Sequence, residues 1–385
     1  MVDRVPPKPM FKPKLVSLDT SSWDLLTKQQ SAACGRIQKV FASGSVIPFF
    51  TSTHLEELMQ HGNQSVVEAR QMMLRRLPFV TYLRGRNSGH GDVGWLLDLR
   101  EAEFDVLCEQ PQATAEIVVE QVRQRVANRF RSGAELCDRN VAQWRWHRQL
   151  APALLADTPE VASLAQFSLP GVNLKQKVPA TSGDLEVRTV EEIREHFAGQ
   201  FEWLVTKLAN DGDPKLINHE QVAANYLREI VDDMTPLLEG AGDLLEKLLA
   251  QSGVERSRLP PNPTIEDVGY EAHFIGTLRV HERRLNLPPG TLKKLVRQEQ
   301  VPSWIIFREL DRTSKRLRKA EASSLADKWM APFALYLDGF EADKRVVHCF
   351  REALLSHPLV PAAYQRIFRR RSLADLADKL EALAV

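Results

Sequence analysis

Leu15-Val16-Ser17-Leu18-Asp19-Thr20-Ser21-Ser22 (residues 15–22) is an apolar run that stops on an aspartate and a row of hydroxyl side chains. Such a run, bounded by capping residues, reads as a short buried strand handing over to a helix, with Asp19 at the strand's C-terminal tip. Working outward, a helical stretch over 29–42 leads to Val46-Ile47-Pro48-Phe49-Phe50, a second strand. Thr51 to His54 then supply an N-cap before Leu55-Glu56-Glu57-Leu58-Met59. A helix over 64–77, apolar at Val67, Met72, Met73 and Leu77, runs into Phe79-Val80-Thr81-Tyr82-Leu83, a third strand. Strands alternating with helices predict an α/β fold with a mostly parallel sheet.

From about residue 96 to 262 this rhythm gives way to long helical periodicities over 113–130, 190–209, 219–238 and 241–251. Breaks rich in Pro, Gly and Ser fall at 168–171 and 258–263. Thr264 caps a further helix, and more helices follow the Pro288-Pro289-Gly290 turn up to Met330. The α/β rhythm then returns, with Phe333-Ala334-Leu335-Tyr336-Leu337 read as a strand and 344–355 as a helix. Gln365 to Phe368 reads as another strand and 372–383 as a closing amphipathic helix. The expected organisation is a Pro- and Lys-rich tail over 1–13, a sheet domain in two parts (14–95 and 263–385), and a large all-helical insertion (96–262) between them.

Length and composition agree with such a plan. The 385 residues are 43% hydrophobic and 26% charged, which is globular and excludes both global disorder and a disulfide-stapled miniature fold. Fifty-one basic side chains nearly cancel fifty acidic ones, so attraction to nucleic acid would have to come from local patches. Cys34, Cys108, Cys137 and Cys349 form no CxxC or Cys/His pair at ligand spacing and read as reduced thiols. With no signal-type or spanning apolar segment, the expected location is cytoplasmic, with no membrane partner.

Four acids fall where the sheet would gather its C-terminal strand edge: Asp19 after the first strand, Glu57 in the helix after the second, Asp327 near a helix start, and Asp343 after the late strand. Crowded carboxylates raise one another's pKa, and their most sensible use is to hold a hard divalent cation, Mg²⁺ or Mn²⁺. Asp338 competes with Asp327 for the third place, and Glu56 with Glu57, although the phase of Leu55, Leu58 and Met59 favours Glu57.

In the order of these parts, the stretches 15–21, 49–58 and 323–345 resemble the PIN-domain nucleases. The resemblance implies a three-layer α/β/α fold, here interrupted by the helical insertion, and a metal site formed by Asp19, Glu57, Asp327 and Asp343. Thr20 and Ser21 match small hydroxyl positions beside the first acid, and Asp338 is a further supporting candidate. The implied activity is metal-dependent phosphodiester hydrolysis in the manner of an endoribonuclease, on RNA rather than DNA.

Arg312, Lys315, Arg316, Arg318 and Lys319, with Lys344 and Arg345, are candidates for phosphate contacts, and Arg366, Arg369, Arg370 and Arg371 are weaker ones. The segment 96–262 offers a surface for a protein partner or a second copy of the chain. The rival reading is a non-catalytic PIN-like scaffold that works through that segment. His54, His61, His90 and His348 fit no ligand spacing and are read as capping or surface residues. The loop over 85–92 is glycine-rich but lacks a nucleotide-binding pattern, and Trp144 and Trp146 read as an amphipathic interface.

Overall fold

A computed structural model of the chain describes residues 12–29, 31–59, 63–86, 93–127, 131–139, 190–211, 216–238, 244–314 and 323–385. It divides into two compact units. The first comprises Met1–Ala156, Glu299–Leu310 and Ala326–Val385, and the second Asp157–Gln298 and Asp311–Leu325. The tail over 1–13 lies almost entirely outside the described residues, as do Trp144 and Trp146 and most of the 85–92 loop.

The first unit is built on β1 (Lys14–Ser17), β2 (Val46–Phe50), β3 (Thr81–Tyr82), β4 (Gly339–Glu341) and β5 (Ile367–Phe368). They form one all-parallel sheet in the order β3-β2-β1-β4-β5. Both ends of the chain therefore contribute to one sheet, as the returning α/β rhythm implied. The register sets Val16 opposite Pro48 on one side and opposite Gly339 on the other. From β1 the chain moves outward to β2 and β3, then crosses back to β4 and continues the opposite way to β5. The reversal falls between β1 and β4, where connections leaving the strand ends diverge and open a crevice.

Helix α1 (Thr20–Lys28) starts on Asp19, whose Oδ1 accepts the Ser21 N–H at 2.8 Å. Helix α2 (Ala32–Ser43) starts on Ser31 and ends on Gly44 at φ 74°, a left-handed position that glycine adopts without strain. After β2 come α3 (Ser52–Met59) and α4 (Gln64–Arg75). Trp23 of α1 is fully buried, its ring 5.9 Å from Phe41 and 5.1 Å from Phe50, and it joins Val16, Leu55, Leu58 and Tyr82 in the main core. The C-terminal helix closes this core with Leu373, Leu376, Ala377 and Leu380 on one face, against Ile37 and Phe41 of α2.

Three further helices, α5 (Leu96–Glu109), α6 (Ala115–Arg125) and α7 (Gly133–Arg139), belong with the sheet rather than with a separate helical body. The insertion boundary expected at 96 is thus too early. One reason is the fully buried Glu103 of α5, whose carboxylate accepts the Ser303 N–H at 2.9 Å and the Ser303 hydroxyl at 2.7 Å, together with the Tyr336 hydroxyl. A buried carboxylate without such donors would be strongly destabilising. Another close fit is at Gly133, where an added Cβ would stand 1.8 Å from the Leu74 carbonyl oxygen of α4. Gly133→Ala is therefore expected to destabilise the unit by about 2 kcal/mol or more through forced separation of α4 and α7, read as a lower midpoint in urea unfolding.

The second unit contains α8 (Val190–Asp211), α9 (His219–Leu238), α10 (Leu244–Ser252), α11 (Ile265–Arg284) and α12 (Thr291–Leu295). Leu204, Leu208, Val222, Ala223 and Leu227 form one core between α8 and α9, and Leu249, Val254, Val268 and Ile275 form another. Buried Arg258 donates to Glu271 and to the carbonyls of Lys293 (2.7 Å) and Val296 (3.1 Å). Thr264 caps α11 in a reciprocal pair with Asp267, as its sequence position indicated. This unit runs on to Gln298, beyond the boundary expected near 262. Helix α13 (Pro302–Ser314) follows. Among the described residues no helix is long and apolar enough to cross a membrane.

The strand expected over 333–337 is instead a 3-10 helix, Ala331–Leu335, and β4 begins two residues after that run at Gly339. Every residue of the 3-10 helix is buried, so the run carries no period from which strand and helix could be told apart. Pro332 suits a helical first turn, where its missing N–H is not needed.

Candidate metal centre at the β1/β4 crevice

Asp19, Glu57, Asp327 and Asp343 line one cleft at the C-terminal ends of β1 and β4, together with Thr20, His54, Glu341, Met330 and others. The cleft encloses about 420 Å³, part of it open to solvent. Each acid arrives by a different route. Asp19 follows β1 and caps α1, and Glu57 projects from α3. Asp327 lies in α14 (Ser323–Met330), and Asp343 caps α15 (Lys344–Glu352) by accepting the Val346 N–H at 2.7 Å. Each capping bond engages one carboxylate oxygen of its aspartate.

The electrostatics match a cluster of acids without enough counter-charge. Burial first, then Asp343, Asp19 and Glu57, push the Asp327 carboxyl up to about 8, with Arg345 opposing the shift. Glu57 reaches solvent at the mouth, yet desolvation on its protein side and the charge of Asp19 hold it above the usual carboxylate range against a hydrogen bond from the Thr20 hydroxyl. Glu56, the competing acid, is outside the cleft lining.

Asp338 is also outside it. Its Oδ2 accepts the Leu15 N–H at 2.9 Å and its Oδ1 pairs with Arg123 at 2.6 Å. These contacts place it at the start of β4, well behind the edge where Asp19 and Asp343 emerge, and they leave Asp327 as the third acid of the cleft. Thr20 lines the cleft and donates to Glu57, whereas Ser21 is outside the lining and its hydroxyl accepts from Arg370 at 2.9 Å.

Of the two roles expected for His54, capping or surface, the first holds, because its ring accepts the N–H of Thr51 at the start of α3, and the second does not, because it is buried and lines the cleft. Its Nδ1 accepts the Thr51 N–H at 3.1 Å, and a backbone N–H can only donate. The proton of the neutral ring is therefore on Nε2, which donates to Ser17 Oγ at 3.0 Å. Burial lowers its pKa to about 4, overriding the opposing charge of Asp19, so the ring stays neutral at ordinary pH. A ring so arranged does not accept the Ser17 proton, and a serine nucleophile is excluded in this arrangement.

Glu341, at the tip of β4, was missed because the strand was expected several residues earlier. It is buried, and burial pushes it up to about 7, with Asp19 adding to the rise and Ser22 and Arg370 opposing it. Among the basic candidates, Arg312 is engaged within the helical unit, over the Tyr270 ring at 5.0 Å and beside Glu266 (3.3 Å) and Asp267 (3.4 Å). Lys315, Arg316, Arg318 and Lys319 lie outside the described residues. Lys344 is exposed at the start of α15, and Arg345 faces Asp327 closely enough to oppose its rise.

A hard cation fits the donor chemistry, because it would offset the repulsion that raises Asp327 and Glu57. As placed, no three Asp, Glu, His or Cys side chains among the described residues stand close enough together to hold one ion. Coordination thus requires the carboxylates to turn inward across the cleft. Comparison with protein-family models, with curated proteins and with solved structures found no match to this chain.

Proposed function

We propose that this chain is a PIN-like metal-dependent nuclease that hydrolyses phosphodiester bonds, with RNA as its substrate. The observation that carries the reading is the meeting of Asp19, Glu57, Asp327 and Asp343 in one cleft at the sheet's reversal point, from positions up to some three hundred residues apart in the chain. The choice of RNA rests on the family resemblance, and a cytoplasmic location accords with four free cysteines.

Those four carboxylates would hold the Mg²⁺ or Mn²⁺, which supplies charge neutralisation at the phosphate and a lowered pKa for an attacking water. Thr20 orients Glu57 through its hydroxyl, and the capping bonds of Asp19 and Asp343 each engage one oxygen and leave the second for the cation. The neutral Ser17/His54/Thr51 chain forms an uncharged wall that adds no proton acceptor to the cleft. Lys344 and Arg345, next to Asp343 in the chain, would meet phosphates flanking the scissile bond. The helical unit is proposed as the surface for a protein partner or a second copy.

The direct test is incubation of the full chain with labelled single-stranded RNA and DNA in Mn²⁺, with and without chelator. Chelator-sensitive cleavage of RNA is expected. Absence of cleavage of either polymer, together with no thermal shift on adding Mn²⁺, would establish the non-catalytic scaffold instead.

A further inference from the structure

Glu341 belongs to the cleft and is bonded to protein donors through both of its oxygens. Its Oε2 accepts the backbone N–H of Asp19 at 3.1 Å, its Oε1 accepts the Ser22 hydroxyl at 2.7 Å, and Arg370 Nε stands 3.1 Å from the same Oε1. Arg370 also donates to Ser22 Oγ at 2.7 Å and to Ser21 Oγ at 2.9 Å. One buried carboxylate thus joins the end of β4, the first turn of α1 and the segment after β5. All of these bonds converge on the turn that presents Asp19.

From this arrangement we infer that Glu341 is a positioning residue for the metal centre: it fixes the backbone of Asp19 so that the Asp19 carboxylate faces the cation, and Arg370 locks Glu341 in place. The inference rests on the metal-dependent reading above. Protein donors already engage both Glu341 oxygens, Ser22 and Arg370 on Oε1 and the Asp19 N–H on Oε2, which suits an orienting group better than a ligand. The Arg370 guanidinium, placed sequence-wise among candidates for phosphate contact, is spent on holding this turn.

Titration of the full chain with Mn²⁺ by calorimetry separates orientation from charge. Glu341→Gln and Glu341→Ala remove the same negative charge, but only Gln keeps an oxygen able to accept the Asp19 N–H. The expected result is Mn²⁺ affinity within a few-fold of wild type for Gln and a loss of about tenfold or more for Ala. Equal affinities for the two variants would overturn the inference, whether both lose affinity, as a direct ligand would, or neither does. Should Glu341→Ala fail to fold, Arg370→Leu decides. Orientation predicts weaker Mn²⁺ binding there, whereas loss of a nearby positive charge alone would tighten it, and tighter or unchanged binding overturns the inference. If wild type takes up no Mn²⁺, the metal-dependent reading itself fails and this inference falls with it.

Discussion

Exchanging Asp327 or Asp19 for Asn is expected to lower Mn²⁺-dependent RNA cleavage by about 10³-fold or more while leaving the chain folded. The two positions test different parts of the site. Asp19 caps α1, but Asn caps a helix as well as Asp does, so the bond from the Ser21 N–H survives the exchange and only the charge is lost. Asp327 is raised to about 8 by burial and by three neighbouring acids, so a neutral replacement removes the cost of holding an ionisable carboxyl there and should raise the melting temperature of the metal-free protein at neutral pH by several degrees. Loss of activity with a gain in stability is the signature of a site strained in favour of its ligand. Asp338→Asn serves as the control: it weakens the pair with Arg123 behind the cleft and is expected to leave cleavage unchanged.

A second large effect is a dependence on pH that reverses when metal is added. Asp327 gives up its proton near its ordinary value of 3.8 in the unfolded chain but only at about 8 in the folded one. Between those values the folded state binds more protons, so this group favours folding most below about pH 4 and loses that contribution as pH rises through about 8. Other raised acids, including Glu56 at about 8 and Glu103 at about 7, act in the same direction, so the informative quantity is wild type compared with Asp327→Asn. In chelator, the two melting temperatures should agree near pH 4, diverge in favour of the variant up to about pH 8, and run parallel above it. Saturating Mn²⁺ should favour wild type instead, increasingly as pH rises, because the cation competes with protons for the same carboxylates. Parallel melting curves from pH 4 to 9 without metal would show that Asp327 is not under the pressure described.

Strand β2 was legible residue for residue, because Val46 to Phe50 is bounded by a turn on one side and a helix start on the other. The shared sheet was legible from the way α/β patterning stops and returns. The gathering of acids at one cleft was legible because strand ends and helix starts have local signatures: Asp19 and Asp343 are each an acid followed by a helix, and each does cap one. The lost strand over 333–337 was not, since a run buried on every side has no alternation to read. That shift also concealed Glu341, which becomes the last residue of a strand only when β4 starts at Gly339. The attachment of α5 to the sheet depends on Glu103 meeting Ser303 and Tyr336, partners about two hundred residues away that no local pattern announces. The capping role of His54 was legible for the local reason, whereas its burial was not, being decided by elements remote in sequence.

To share a divalent cation, Asp19, Glu57, Asp327 and Asp343 must turn inward across the β1/β4 crevice. Diffraction from crystals of the full chain grown in Mn²⁺, with data collected at the manganese edge, tests it most directly. An anomalous peak is expected in the β1/β4 crevice within coordinating distance of carboxylate oxygens from these four residues, with Glu341 still bonded to the Asp19 N–H. An empty crevice at saturating Mn²⁺, or a peak held by other residues, would contradict it.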